Sequence, residues 1–208
     1  MRLTFASILL GAMVVVSAVA QDIDATAPTL ASVAERLSQP EVLRGHFSQT
    51  RHIPLLSRPL ESSGQFILSD MGLYWRQESP FVATLMADGE RLVQRVANGP
   101  AAGVDSVEHA MVLPFSKIFL SLFRGDEDAL AEHFSVAFET SDRGWEIHLT
   151  PTSYPLSEAI DGIILRGREH IDQLDVLGRS SDEMIITFHD LETRPEYLTE
   201  HEMALYAW

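Results

Sequence analysis

Residues 43–99 read LRGHFSQTRHIPLLSRPLESSGQFILSDMGLYWRQESPFVATLMADGERLVQRVANG, and this stretch decides the fold. Phe66 and Leu68 alternate with Gln65 and Ile67, and Leu73 and Trp75 with Tyr74 and Arg76. Such period-two patterning belongs to strands, because successive side chains point to opposite faces of a sheet. Turn chemistry interrupts it at Ser62-Ser63-Gly64, Asp70-Met71-Gly72, Ser79-Pro80 and Asp88-Gly89. Gly64, Gly72 and Gly89 are expected to supply the positive φ of those turns, and Pro59 and Pro80 to stand just outside strands. A meander of at least four antiparallel strands follows, forming one curved sheet with an apolar face. What covers that face is the question on which function turns.

Upstream, Arg2 precedes an uncharged apolar run from Ile8 to Val16, and Ala18-Val19-Ala20 places small residues where a signal peptidase reads. Residues 1–20 are therefore expected to be a secretory signal cleaved before Gln21. The run is short for a membrane span, which needs about 20 apolar residues. Residues 21–29 form a polar leader. Leu30, Val33, Ala34 and Leu37 then recur at the spacing of one helical stripe, with Thr29 placed to cap it and Pro40 to end it. A single domain over residues 30–208 accounts for the rest.

Downstream, 101–111 is a weakly patterned loop. Pro114 opens PFSKIFLSLFRG, which puts Phe115, Ile118, Phe119, Leu122 and Phe123 on one wide helical face ahead of Gly125. A short helix over Asp126–His133 starts with three carboxylates, where the helix dipole favours them. Strand patterning returns at Phe134-Val136-Phe138, Trp145-Ile147-Leu149, Gly162–Leu165, Ile171–Leu177 and Met184–Leu191. About ten strands, few helices and no long crossover make the fold mainly β with a few helices: an unclosed, strongly curved antiparallel barrel. The tail from Leu198 to Trp208 has room for one more short helix.

The formal charge is −15, and becomes −16 once Arg2 leaves with the signal. So acidic a surface excludes the usual nucleic-acid binders, which neutralise phosphates with Lys and Arg. The chain has no cysteine, so no disulfide framework supports it. Eight histidines are present, yet none forms HExxH or a His-x-His pair. His148 and His189 fall on the polar side of their strands, and His201 lies between Glu200 and Glu202. With no nucleophile elbow, phosphate loop or dinucleotide fingerprint, neither an enzyme nor a cofactor is expected. The large apolar side chains Phe47, Phe66, Leu68, Leu73, Trp75, Leu85 and Met86 are either plain core or the lining of a ligand space. Composition leaves both open, although Phe and Met surfaces do adapt to acyl chains.

The order of short motifs adds a resemblance. Gly45-His46-Phe47-Ser48-Gln49, Ser63-Gly64-Gln65-Phe66, Gly72-Leu73-Tyr74-Trp75 with Pro80 behind it, and Asp88-Gly89 follow a short helix. Gly162-Ile163-Ile164-Leu165, Ile171-Asp172-Gln173-Leu174 and Ile185-Ile186-Thr187-Phe188 come later. Over roughly residues 30–192 this resembles the outer-membrane lipoprotein carrier family (LolA-like). The resemblance implies helices forming a lid over a hydrophobic cavity within the open barrel. The lining would come from Phe47, Phe66, Leu68, Leu73, Trp75 and Leu85, and the lid from Phe115, Phe119 and Phe123. It further implies a monomeric periplasmic carrier with acylated lipoprotein or other lipid cargo, an inner-membrane export complex and an outer-membrane acceptor as partners. The alternative is a sensor of mislocalised lipoproteins built on the same fold. Carriers of this kind usually place Arg-Pro just before the L-x-W strand, the Arg latching the lid. Here that turn is Ser69-Asp70-Met71-Gly72, which implies a divergent branch without that latch.

Overall fold

The first five strands are the meander: β1 (Leu43–His52), β2 (Leu60–Ser69), β3 (Gly72–Ser79), β4 (Ala83–Ala87) and β5 (Leu92–Val96). A two-residue β6 (Ala102–Gly103) ends this half. The second half holds β7 (Phe134–Ser141), β8 (Gly144–Pro151), β9 (Ile160–Gly167), β10 (Ile171–Gly178) and β11 (Glu183–Glu192). The computed structural model describes residues 30–38, 40–88, 91–96, 102–103, 120–121 and 126–207. All pairings are antiparallel, in the order β6-β5-β4-β3-β2-β1-β11-β10-β9-β8-β7. The sheet is curled but not closed, and β1 against β11 is the seam where the two halves meet.

Among the described residues four short α-helices with both ends described accompany the sheet: α1 (Leu30–Ser38), α2 (Glu127–His133), α3 (Leu156–Ala159) and α4 (Glu200–Leu205). None of the described helices is long and apolar enough to cross a membrane. The amphipathic spacing of α1 works as expected, since Val33 and Leu37 are buried in the main core. That core fills the concave face, joining Phe47, Phe66, Leu68 and Leu73 to Leu149, Ile163, Leu165, Leu174, Ile186 and Phe188. Each such side chain gains about 1.5–3 kcal/mol by leaving water, so this face dominates stability.

Two expectations about turns need correcting. Ser62-Ser63-Gly64 does not break the meander but lies inside β2, and Gly64 is not left-handed. Glycine is required there for close approach: a Cβ would sit 1.9 Å from the Arg76 carbonyl oxygen, where the β2–β3 register shifts. Gly72, by contrast, has φ of 115° and turns the chain as expected. Gly89, the leader and signal residues, and most of 101–125 lie outside the described residues. Of the expected lid helix, Leu120 and Ser121 are described and helical, with Leu120 buried in the main core.

The convex face differs from a simple polar exterior. Ile67, Tyr74, Met86 and Val93 are neighbours across β2–β5 and point away from the main core. They form a second cluster with Val42, Leu198, Leu205 and Tyr206. Met86 thus belongs to the face opposite Leu85. On the other half, the same side carries a polar ladder. Arg166 donates to Glu146 and Asp175, Gln173 donates to Asp175, and His148 lies 2.6 Å from Glu146.

Candidate functional site

The concave face is built from strand alternation and from a glycine, Gly45, that makes room for a ring. Gly45 on β1 pairs with Phe66 on β2, and a Cβ there would come within 2.9 Å of the Phe66 ring. The ring occupies the space a side chain would need. Gly64 is the cross-strand partner of Phe47. Phe47 and Trp75, on strands either side of β2, stack with ring centroids 3.7 Å apart. Phe188 completes the cluster, edge-on to Phe66 at 5.4 Å and to Trp75 at 6.3 Å. Such pairs contribute about 0.5–1.5 kcal/mol beyond their burial. Sequence reading did not single out Phe188, although its alternation with Ile186 and Met184 carried the signal.

The expected lining residues fall into two groups. Phe47, Phe66, Leu68 and Leu73 are fully buried, with Leu73 only 4% exposed. Trp75 and Leu85 are part-exposed and pack on the core's fringe, as do Val136, Phe138 and Met184. This fringe is spread over β3, β4, β7 and β11, of which β7 is an edge strand of the described sheet. Phe115, Phe119 and Phe123 lie outside the described residues. A cleft of about 770 Å³ also opens at a different place, between Leu37 to Val42, the β2–β3 turn and the tail near Tyr197 and Met203. Its walls include Glu41, Asp70 and Glu196, so it is a mixed surface rather than an acyl tunnel.

Arginine is absent from the β2–β3 turn, where Met71 N–H is instead bonded by Ser69 Oγ and Asp70 Oδ1. A multidentate arginine exists elsewhere. Arg44 of β1 points to the convex face and donates to the carbonyls of Pro195 and Tyr197, both at 2.9 Å. Its other donors grip both oxygens of Glu202, at 2.5 and 3.0 Å. Glu202 also closes a capping box with Thr199, the residue that begins α4. The tail is thereby fixed, and Tyr206 is delivered into the second cluster. Its hydroxyl lies 3.0 Å from the Ile67 carbonyl and 3.3 Å from that of Gly72. Burial pushes the Tyr206 phenol up to about 12.

The hydrogen bond from Arg44, aided by Thr199, holds the Glu202 carboxyl down at about 2 against an ordinary 4.5. A depressed carboxylate stabilises the fold fully above its unfolded value and loses that contribution as pH falls through the folded one. Glu202→Gln is therefore expected to lower stability by about 1–3 kcal/mol at pH 7. Urea unfolding from pH 7 downward checks this: the gap between the two proteins should stay constant above pH 4.5 and shrink towards pH 2.

With this geometry in hand, comparison with known proteins places the chain. A DUF1329 family protein from Desulfovibrio piger ATCC 29098 aligns with a TM-score of 0.49 at 9% identity, covering 85% of this chain and 96% of that one. A LolA superfamily protein from Nitrosomonas europaea aligns with a TM-score of 0.45 at 8% identity, covering 84% of this chain and 96% of that one. No curated protein matches the sequence. The model of the family described as outer membrane lipoprotein carrier protein LolA-like matches residues 18–177, well over half of the chain, and the protein belongs to that family.

Proposed function

We propose that this protein carries the acyl chains of a lipoprotein, or of another amphiphile, through the periplasm towards the outer membrane. One observation carries the reading. The concave face is apolar from Leu85 and Trp75 across Phe66 and Phe47 to Val136 and Phe138, with Phe66 and Phe47 buried and Leu85, Trp75, Val136 and Phe138 part-exposed. Each methylene transferred from water is worth about 0.8 kcal/mol, so an acyl chain of some fifteen carbons gains on the order of 10 kcal/mol there. Family membership supplies the class of cargo. The Leu85–Trp75 fringe is the entry surface in this reading.

The sequence before Gln21 acts as the export signal, and the acidic mature surface keeps the loaded carrier dispersed in water. Loading and unloading then involve an inner-membrane export complex and an outer-membrane acceptor. No catalytic step is assigned to the chain. Because the β2–β3 turn lacks the arginine latch, cargo is held by burial alone. Native mass spectrometry of the untagged protein, released gently from the periplasm, is expected to show a lipid or acylated protein bound. A protein that arrives empty and also fails to bind a fluorescent acyl probe would refute the carrier reading.

A further inference from the structure

We infer that the β1–β11 seam carries a divalent-metal site made by His46, His189 and Asp190. His46 and His189 are direct cross-strand partners, so both imidazoles leave the convex face side by side. Their rings lie parallel within 10°, with centroids 5.8 Å apart. Alternation alone would send the next residue of β11 to the concave side. A bulge prevents it: the register passes from His46 opposite His189 to Arg44 opposite Glu192, so Gly45 faces two residues of β11. Asp190 takes the left-handed conformation, φ 54°, which Asp tolerates better than most residues. Its carboxylate turns back beside the imidazoles, while Leu191 packs against the core in its place.

Gly45 makes this arrangement possible, because a Cβ there would lie 2.6 Å from Leu191 Cδ2. The result is convergent. Asp190 Oδ2 is 3.1 Å from His189 Nδ1 and 3.7 Å from His46 Nδ1. One ligand atom from each of the three residues falls within 4.8 Å of the others. Two nitrogens or oxygens bound tetrahedrally to one zinc ion stand about 3.3 Å apart, so small rotations of exposed side chains complete the set.

The outer partner of a metal-bound histidine is present too. Ser48 Oγ lies 3.3 Å from His189 Nε2, so once a metal displaces the Nδ1 proton that now faces Asp190, the hydroxyl is placed to accept the N–H of Nε2. Two imidazoles and a carboxylate suit a borderline cation such as zinc, nickel or copper, with water filling the remaining positions. Neither histidine could be paired with the other from local spacing, since they are far apart in sequence and meet only across the seam. A bound ion would cross-link the two halves of the sheet at the β1–β11 seam.

The test is isothermal titration of zinc chloride into tag-free, chelator-treated full-length mature protein, with melting temperature followed in parallel. Saturable one-to-one binding in about the micromolar range is expected, together with a rise in melting temperature. His46→Gln, His189→Gln and Asp190→Asn should each weaken binding tenfold or more and abolish the thermal rise. His148→Gln, which removes a histidine held by Glu146 elsewhere, should change neither. All three site residues are exposed, so the variants retain the fold. Zinc binding that survives His46→Gln and His189→Gln unchanged would overturn the assignment. So would the absence of saturable binding up to about 1 mM.

Discussion

Leu73→Arg is expected to leave no folded protein, whereas Leu85→Arg, one strand away on the same face, should fold and lose acyl binding. Leu73 is 4% exposed and packed in the main core. An unpaired buried guanidinium costs several kcal/mol, comparable with the whole ~5–15 kcal/mol stability of a domain. Leu85 pairs across the sheet with Trp75 and is only part-buried, so a long cationic side chain can lift its head into water. It would then lie across the entry surface. Fluorescence titration with an acyl probe should find affinity at least tenfold weaker in Leu85→Arg, with circular dichroism unchanged. A Leu85→Arg protein that binds the probe normally would move the cargo site away from β3 and β4.

Tyr206→Ala is the second large effect. Tyr206 is 2% exposed and seals the convex cluster against Tyr74, with ring centroids 6.2 Å apart. Removing a buried aromatic ring costs about 3–5 kcal/mol. Tyr206→Phe removes only the hydroxyl and its bonds to the Ile67 and Gly72 carbonyls, about 0.5–1.5 kcal/mol. Urea unfolding measures both. Probe binding by the folded Tyr206→Ala protein should be preserved, because the ring supports the convex face, opposite the proposed acyl-binding face. Equal losses in the two variants would mean the ring contributes nothing beyond its hydroxyl.

Most of the sheet was legible because local alternation reports which face is buried. The hairpins at Asp70–Gly72 and Ser141–Gly144 were readable for the same reason. Other features were hidden by the kind of information a strand pattern holds. Ile67 and Tyr74 are apolar on the side read as solvent-facing, and only the tail, more than a hundred residues later, explains them. Arg44 and Glu202 are 158 positions apart and meet through the fold alone. A local clue did exist, since Thr199-x-x-Glu202 spells a capping box and so a real helix start. Strand alternation puts Phe47, Phe66 and Trp75 on one face of the sheet but carries no information on the depth of each residue. Phe47 and Trp75 are both large and aromatic, and nothing in their spacing makes one central and the other peripheral.

The seam between β1 and β11 also fixes an order of events. Ser48 and His189, on its two sides, are 141 positions apart. Closing so long a loop costs about 2 kcal/mol more in chain entropy than closing a ten-residue hairpin. The other neighbouring strands of each half are joined by short connections and can pair as the chain emerges. β1 must wait with one edge bare until the last strand has been made and delivered. The two halves can therefore assemble first, and the contact that unites them comes last.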